Sequence, residues 1–263
     1  MSVLRMYALL VRASVKSRMQ YRFNFFFTSL MAAVINAVEF LMVAVVLVKF
    51  GDIQGWSVYE VGYLYAVLTL SKTVYRTLAS DVHHLEKYLV TGDLDRLLIR
   101  PVPILLALMS QNFRIMLGEL LQGGFILAVC LRHLMLEGQL GWASLPLTLL
   151  IIVMGSVILF SIGLATASVG FWITRISELQ TFTEDASRNA CQYPLTLYPG
   201  WLKFMLLSVV PVGFANYIPA LYVLRGELGP WILAATAGAA GLCYFLSRRL
   251  WSLGLSRYQS TGS

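Results

Sequence analysis

His83 and His84 stand beside Asp81 and Glu86, a grouping of residue types that ligate metals. Adjacent positions on a helix point about 100° apart, so the two imidazoles do not converge well on one ion, and the group reads as a solvated loop face. The 263 residues contain no HExxH, no GxSxG and no GxxxxGK(S/T), which leaves no zinc-protease, serine-hydrolase or phosphate-cradling motif. Cys130, Cys191 and Cys243 fall in three separate apolar segments without a CxxC spacing and read as small buried hydrophobes. What remains is a set of polar side chains inside long helical runs: Asn36 and Glu39 in one, Glu184, Asp185 and Arg188 in another. At membrane depth such groups are costly and mark a transport pathway by default. Tyr59, Tyr63, Tyr65 and Tyr75 read as interface anchors or packing residues.

The elements that must position these residues follow from composition. Hydrophobic residues make up 58% of the chain and charged residues 13%, and the mean hydropathy is +0.73. A soluble domain carries roughly a quarter charged residues, and a disordered one needs low hydrophobicity, so both classes are excluded. The chain is an integral membrane protein. At about 20 residues per crossing it has room for five to seven spans and for no separate soluble domain.

Residues 1–24 place Leu4, Tyr7, Ala8, Val11, Val15 and Met19 on one side of a helix, with Arg5, Arg12 and Lys16 on a neighbouring face. This predicts an amphipathic helix lying in the membrane interface. The first long apolar run comes too late for a cleavable leader and is expected to stay as an anchor. Spans are predicted at 25–48, 58–78, 104–131, 145–174 and 231–251. Lys72 and Arg76 near the end of the second can snorkel to the interface, and Arg114 falls in turns of the third that project beyond the lipid. In the last span, Ala234, Ala237, Gly238 and Gly241 form small-xxx-small pairs that suit close helix approach. Between 175 and 230 two segments compete for the fifth span. Residues 201–224 are apolar but broken by Pro211 and Pro219, whereas 176–197 are polar but unbroken before Pro194. There Glu184 and Asp185 can each pair with Arg188 along the helix. Either choice gives six spans with both termini on one side.

Charge assigns the side. Fourteen of the 20 basic residues precede the first span, surround the 79–103 connection, or follow the fourth and last spans. The opposite side holds Lys49, Arg132, Lys203 and Arg225. The positive-inside rule puts both termini and the 79–103 loop in the cytoplasm, with the net charge of +7 explained and no nucleic-acid partner implied. Within the loop, Gly92 suits a helix stop, Asp93 can cap a short helix whose Leu94, Leu97 and Leu98 share a face, and Pro101 ends it. Such a helix is either a connector receiving force from a docked partner or an interfacial turn resting on lipid.

The run Leu89-Val90-Thr91-Gly92-Asp93-Leu94-Asp95-Arg96-Leu97-Leu98-Ile99-Arg100-Pro101 resembles the coupling segment of type-2 ABC exporter permeases. Tyr198-Pro199-Gly200-Trp201-Leu202, Val210-Pro211 and Phe214-Ala215-Asn216-Tyr217 are similar to that class's segment between its last two spans. Ser177-Glu178-Leu179-Gln180 and Gln192-Tyr193-Pro194 resemble a subgroup of small six-span permeases that pair with a sister permease and one ATPase. The resemblance covers nearly the whole chain, through the order and spacing of its segments. It implies an all-α polytopic protein with an interfacial helix at 1–24, a six-helix domain at 25–251 and a cytoplasmic tail at 252–263. The fifth span is then 178–197, and 199–224 is re-entrant, with Pro199, Trp201 and Pro211 at an outer gate. Gly92, Asp93, Leu94, Asp95, Arg96, Leu97, Leu98 and Arg100 would couple to the ATPase, and Asn36, Glu39, Glu184, Asp185 and Arg188 would line the pathway. The implied role is the non-enzymatic permease subunit of an inner-membrane exporter of amphipathic or hydrophobic compounds. ATP and magnesium would bind on a partner chain, and a sister permease or second copy would complete the pathway. An ATP-independent transporter would carry an internal repeat with broken helices in matching positions, which is not found. A membrane enzyme would need convergent acidic or histidine residues, for which only the His83–His84 group is available.

Overall fold

A computed structural model describes residues 3–18, 22–50, 55–173 and 175–259. The regular elements are all helical: α1 (Val3–Arg18), α2 (Arg22–Phe50), α3 (Val58–Leu78), α4 (Leu85–Val90), α5 (Asp93–Leu98), α6 (Ile104–Ser110), α7 (Leu117–Leu136), α8 (Ser144–Val169), α9 (Ser177–Gln192), α10 (Gly200–Phe204), α11 (Tyr217–Arg225) and α12 (Trp231–Ser256). Among the described residues α7 and α8 are long and apolar enough to cross a membrane, and the bent pair Gly200–Val209 and Val212–Arg225 makes a third if counted as one span.

α3 is the hub. It starts at a capping box in which the Glu60 amide donates to Ser57 Oγ at 3.2 Å and the Ser57 amide donates to Glu60 Oε2 at 2.8 Å. It packs against α2, α7, α8 and α9, and α8 in turn packs along α12. Tyr63, Leu64, Tyr65, Ala66 and Val67 are completely enclosed. Their polar groups are answered locally: Tyr63 Oη lies 2.9 Å from Thr148 Oγ1, and Tyr65 Oη donates to the Asn36 carbonyl at 3.1 Å.

The predicted third span is not continuous. α6 stops at Ser110, Gln111 is extended, Asn112 takes a left-handed φ of 51°, and α7 begins only at Leu117. The break is held from outside. Ser80 Oγ donates to the carbonyls of Gln111 and Asn112, and Asn112 Nδ2 donates to buried Asp81 at 2.7 Å. Among the described residues the N-terminal helix covers Val3–Arg18, and its Tyr7 hydroxyl donates to the Leu78 carbonyl at 2.7 Å. The small-residue stripe of α12 faces outward. Its packed face is made instead by Ile232, Thr236, Ala240, Ser247, Trp251 and Gly254.

Between α9 and α12 the chain runs in short pieces. Pro199 starts α10, a wide π turn covers Met205–Val209, and Pro211 stands at the 77° bend that follows. A proline has no amide proton for the preceding turn, so the helix cannot run through it. Two side chains fix the segment. Asn216, fully buried, donates through Nδ2 to the carbonyls of Leu64 (3.2 Å) and Cys191 (2.8 Å). Arg225 donates to Glu60 Oε1 (3.1 Å) and the Gly55 carbonyl (2.7 Å) and lies 3.9 Å over the Trp56 ring. Gly155 of α8 is the point of closest approach. A methyl group there would press on the Ala215 carbonyl oxygen and sit 2.8 Å from Ser71 Oγ.

Gly155→Ala should therefore cost about 1–3 kcal/mol by overpacking and lower the thermal midpoint of the purified protein. Gly124→Ala, on α7 with no atom within 4 Å of the added methyl, should leave it unchanged or slightly higher.

Candidate functional site

Where α3, α8 and α9 meet, with α2 and α7 closing one side, they enclose a cavity of about 260 Å³. Its apolar wall includes Ile35, Leu68, Leu159 and Ile162, and its polar wall includes Lys72, Arg76, Gln180 and Glu184. Glu184 is the focus. One carboxylate oxygen lies 2.9 Å from Lys72 Nζ, the other accepts from the Arg76 guanidinium, and His83 Nδ1 is 3.8 Å away. Lys72 and Arg76 are one turn apart on α3, so both cations reach a single acceptor on α9. The two cations point inward to Glu184, and the snorkelling expectation fails for a physical reason: the polar face of α9 brings a carboxylate within reach.

The sequence offers Arg188 both Glu184 and Asp185 as partners along α9. Arg188 pairs with the half-exposed Asp185 at 3.8 Å, and Glu184 belongs to α3. Asn36 and Arg188 line the cavity with Glu184, and Asp185 does not. Asn36 Nδ2 donates back to the Ala32 carbonyl of its own helix at 2.8 Å. The side chain of Glu39 lies outside the described residues. Pro199 and Trp201 are exposed at the start of α10, and Pro211 marks the bend. Lys72, Arg76, His83 and Gln180 were missed as site residues. Two basic residues four apart on one face of an apolar helix were the available signal, because they require a counter-charge.

His83 departs from the solvated-loop reading, while His84 is exposed as expected. The His83 ring sits against α8 at Gly163, where a methyl group would lie 2.7 Å from Nε2, and Nε2 is 3.0 Å from the Tyr75 hydroxyl. Burial, reinforced by the Arg76 charge, pushes its pKa down to about 3, so the ring is neutral at physiological pH. Among the described residues no group of three His, Cys, Asp or Glu side chains could hold a metal ion.

His83 opens the 79–103 loop, and the loop grips α9 at a second point. The Glu86 carboxylate accepts from the backbone amides of Ile176 (2.5 Å) and Ser177, the first donors of α9. Burial opposes its ionisation, but those two amides and the Arg175 charge win and hold its pKa below the ordinary glutamate value. Further along, Gly92 supplies the left-handed turn (φ 70°) that starts α5, which Asp93 enters as its first residue. Thr91 Oγ1 donates to Asp93 at 2.8 Å, Arg96 reaches it at 3.4 Å, and Asp95 accepts from Tyr258 of the tail at 3.0 Å. Leu94 and Leu97 are buried in a cluster with Leu85, Leu164 and Trp251. Leu98 and Ile99 stay exposed, at 41% and 85%, beside Arg96 and Arg100. The short helix thus turns one leucine face inward as an anchor and a second apolar edge outward.

The arrangement is a charged cavity in a helical bundle, tied to the basic 79–103 loop. The model for ABC-2 family transporter proteins matches residues 33–262. The chain belongs to the ABC-2 transporter family. No curated protein matches it at a significant level. An ABC-2 protein is the membrane permease of an ATP-binding cassette transporter and associates with an ATP-binding cassette component, so this chain is a transport component and not itself a catalyst.

Removing Glu184 should leave two inward cations unanswered. Glu184→Ala is expected to destabilise by about 3–5 kcal/mol, whereas Asp185→Ala, at an exposed pair, should cost about 1 kcal/mol or less. Chemical denaturation of both variants in one detergent measures the difference. His83 gives a pH dependence whose sign is fixed by its lowered pKa. The unfolded ring binds a proton near pH 6.5 and the folded one only near 3, so its contribution is complete above about 6.5 and is lost as pH falls between those values. The melting midpoint of the wild type should fall more steeply from pH 7 to pH 5 than that of His83→Gln.

Proposed function

We propose that the chain is one of the two permeases of an ATP-driven exporter, with six crossings, both termini in the cytoplasm, and the α3–α8–α9 cavity on the route of an amphipathic or hydrophobic substrate. The observation that carries this reading is the double tie between loop and cavity: His83 faces Glu184 at 3.8 Å, and Glu86 caps the helix that bears Glu184. A push on the loop is therefore a push on α9. ATP and magnesium are bound by the partner ATPase, which docks on the outward edge of α5. Leu98, Ile99, Arg96 and Arg100 supply that surface, while Leu94 and Leu97 fix it to α8 and α12.

In this reading α2, α3, α7, α8, α9 and α12 are the six crossings. α9 crosses although it is polar, because its charged side turns to α3 and to the pathway. The α10–α11 segment is re-entrant, which suits non-helical backbone covered by protein on the α3–α8 side. Its Asn216 and Arg225 ties hold an outer gate in which Pro199, Trp201 and Pro211 lie. A sister permease completes the pathway across the exposed face of α9, where Asp185 and Phe182 would otherwise meet lipid. Nucleotide closure of the ATPases then shifts the bundle between inward- and outward-open forms.

The tagged chain should co-purify with an ATPase subunit, and membrane vesicles carrying both should accumulate substrate only with ATP. Leu98→Asp and Ile99→Asp should leave the chain folded and weaken the ATPase complex about tenfold or more. Leu97→Asp should fail to fold, because it buries a carboxylate beneath α5. A monodisperse protein without an ATPase, indifferent to Leu98→Asp and Ile99→Asp, would overturn the reading.

A further inference from the structure

The polar wall of the cavity is unbalanced in a consistent direction. Lys72 and Arg76 share the one carboxylate of Glu184, so two positive charges converge on a single negative one. Neither makes a second ion pair among the described residues. Glu119, on the α7 side of the cavity, is not bridged to either cation, and Arg188 is balanced separately by Asp185. His83 is neutral and adds no charge. Around Glu184 the buried groups without a hydrogen-bond partner include Glu184 Oε1, which lies 2.9 Å from Lys72 Nζ as an ion pair, and two donors, Gln180 Nε2, on a residue only 4% exposed, and Arg76 Nε. A buried donor without an acceptor is costly, the more so when it is charged, so a wall of this kind stores affinity for an acceptor-rich ligand. The cavity is also lined by the aliphatic side chains of Ile35, Leu68, Leu159 and Ile162, which offer nothing to a small hydrophilic ion.

We infer that the cavity binds the oxyanion head of a single-chain amphiphile, with Lys72, Arg76 and Gln180 donating to the head and the aliphatic wall covering the start of its chain. Glu184 is the internal stand-in for that head. It keeps the two cations paired while the cavity is empty and yields Lys72, the more exposed of the two, when the ligand enters. A cationic head would meet Lys72 and Arg76 with like charge, and a neutral one would leave their excess charge unanswered. The inference rests on the exporter reading only in naming this ligand as cargo; the binding chemistry belongs to the chain alone.

The test uses the full chain in nanodiscs of phosphatidylcholine and three fluorescent probes that share one chain: dansyl-undecanoic acid, its methyl ester and the corresponding amine. The acid should bind about tenfold or more tightly than the other two. Undecanoate should displace it, and acetate at the same concentration should not. Lys72→Gln and Gln180→Leu should each weaken the acid several-fold and leave the ester unchanged. Glu184→Gln should tighten the acid by removing its competitor. Should Glu184→Gln fail to fold, the first two variants still decide, since Lys72 is one-third exposed and Gln180→Leu adds no charge. Equal binding of the three probes, preference for the amine, displacement by acetate, or indifference of the acid to Lys72→Gln and Gln180→Leu would overturn the inference. Loss of the ATPase partner with acid binding intact would instead count against the exporter reading, and the two failures are thereby kept apart.

Discussion

A carboxylate inside a bundle of membrane helices must be answered by cations of the same bundle, and the pairing of Glu184 with Lys72 and Arg76 is the answer on which the rest of this structure depends. It lets α9, a helix too polar to face hydrocarbon, lie against α3, the most enclosed helix of the fold. Once α9 is placed there, the turn after α3 brings His83 to the same carboxylate and Glu86 to the first amides of α9. The bent segment between α9 and α12 then closes over the far end, where Asn216 takes the carbonyls of Leu64 and Cys191 together. α3 and α9 are thus joined at both ends and in the middle by groups that water would otherwise solvate.

The two ends differ in kind. At the Arg225 end the contact is a clasp of several bonds: a capping box, a guanidinium on the same glutamate, a backbone carbonyl and a cation over Trp56. At the His83 end a neutral ring lies 3.8 Å from the Glu184 carboxylate, and the closest bonds are those of Glu86 to the start of α9. Glu86 holds the backbone amides of Ile176 and Ser177, which ties it to the start of the helix as a body.

The helices themselves were legible because their periodicity is local. The 58–78, 145–174 and 231–251 runs reappear as α3, α8 and α12 within a few residues, and the prolines at 199 and 211 mark real breaks because their chemistry acts on the adjacent turn. What sequence could not supply is direction. An i,i+4 pair such as Glu184–Arg188 is always available on paper, but Glu184 chose cations 108 and 112 positions away because they lay on the buried side of the helix. The interruption at 111–116 has no proline to announce it and exists because Ser80 and Asp81, thirty residues earlier, supply its hydrogen bonds. Leu94, Leu97 and Leu98 of α5 read as one face in the sequence, but Leu98 lies on the outward edge while Leu94 and Leu97 are buried, a division that depends on where α8 and Trp251 stand.

The same reasoning separates Lys72 from Arg76. They sit one turn apart on α3 and touch the same carboxylate, yet Lys72 is 32% exposed and Arg76 19%. Arg76 is also beside the buried Tyr75–His83 pair, so moving it would strip donors from a larger network. Lysine is a point charge on a flexible stem and can leave one oxygen for another without a fixed approach angle, whereas a guanidinium fork is held by its geometry. Of the two cations, the lysine is therefore the one able to exchange partners while the arginine keeps α3 and α9 together. A site built this way can change its electrostatic content without losing the helix contact that forms it.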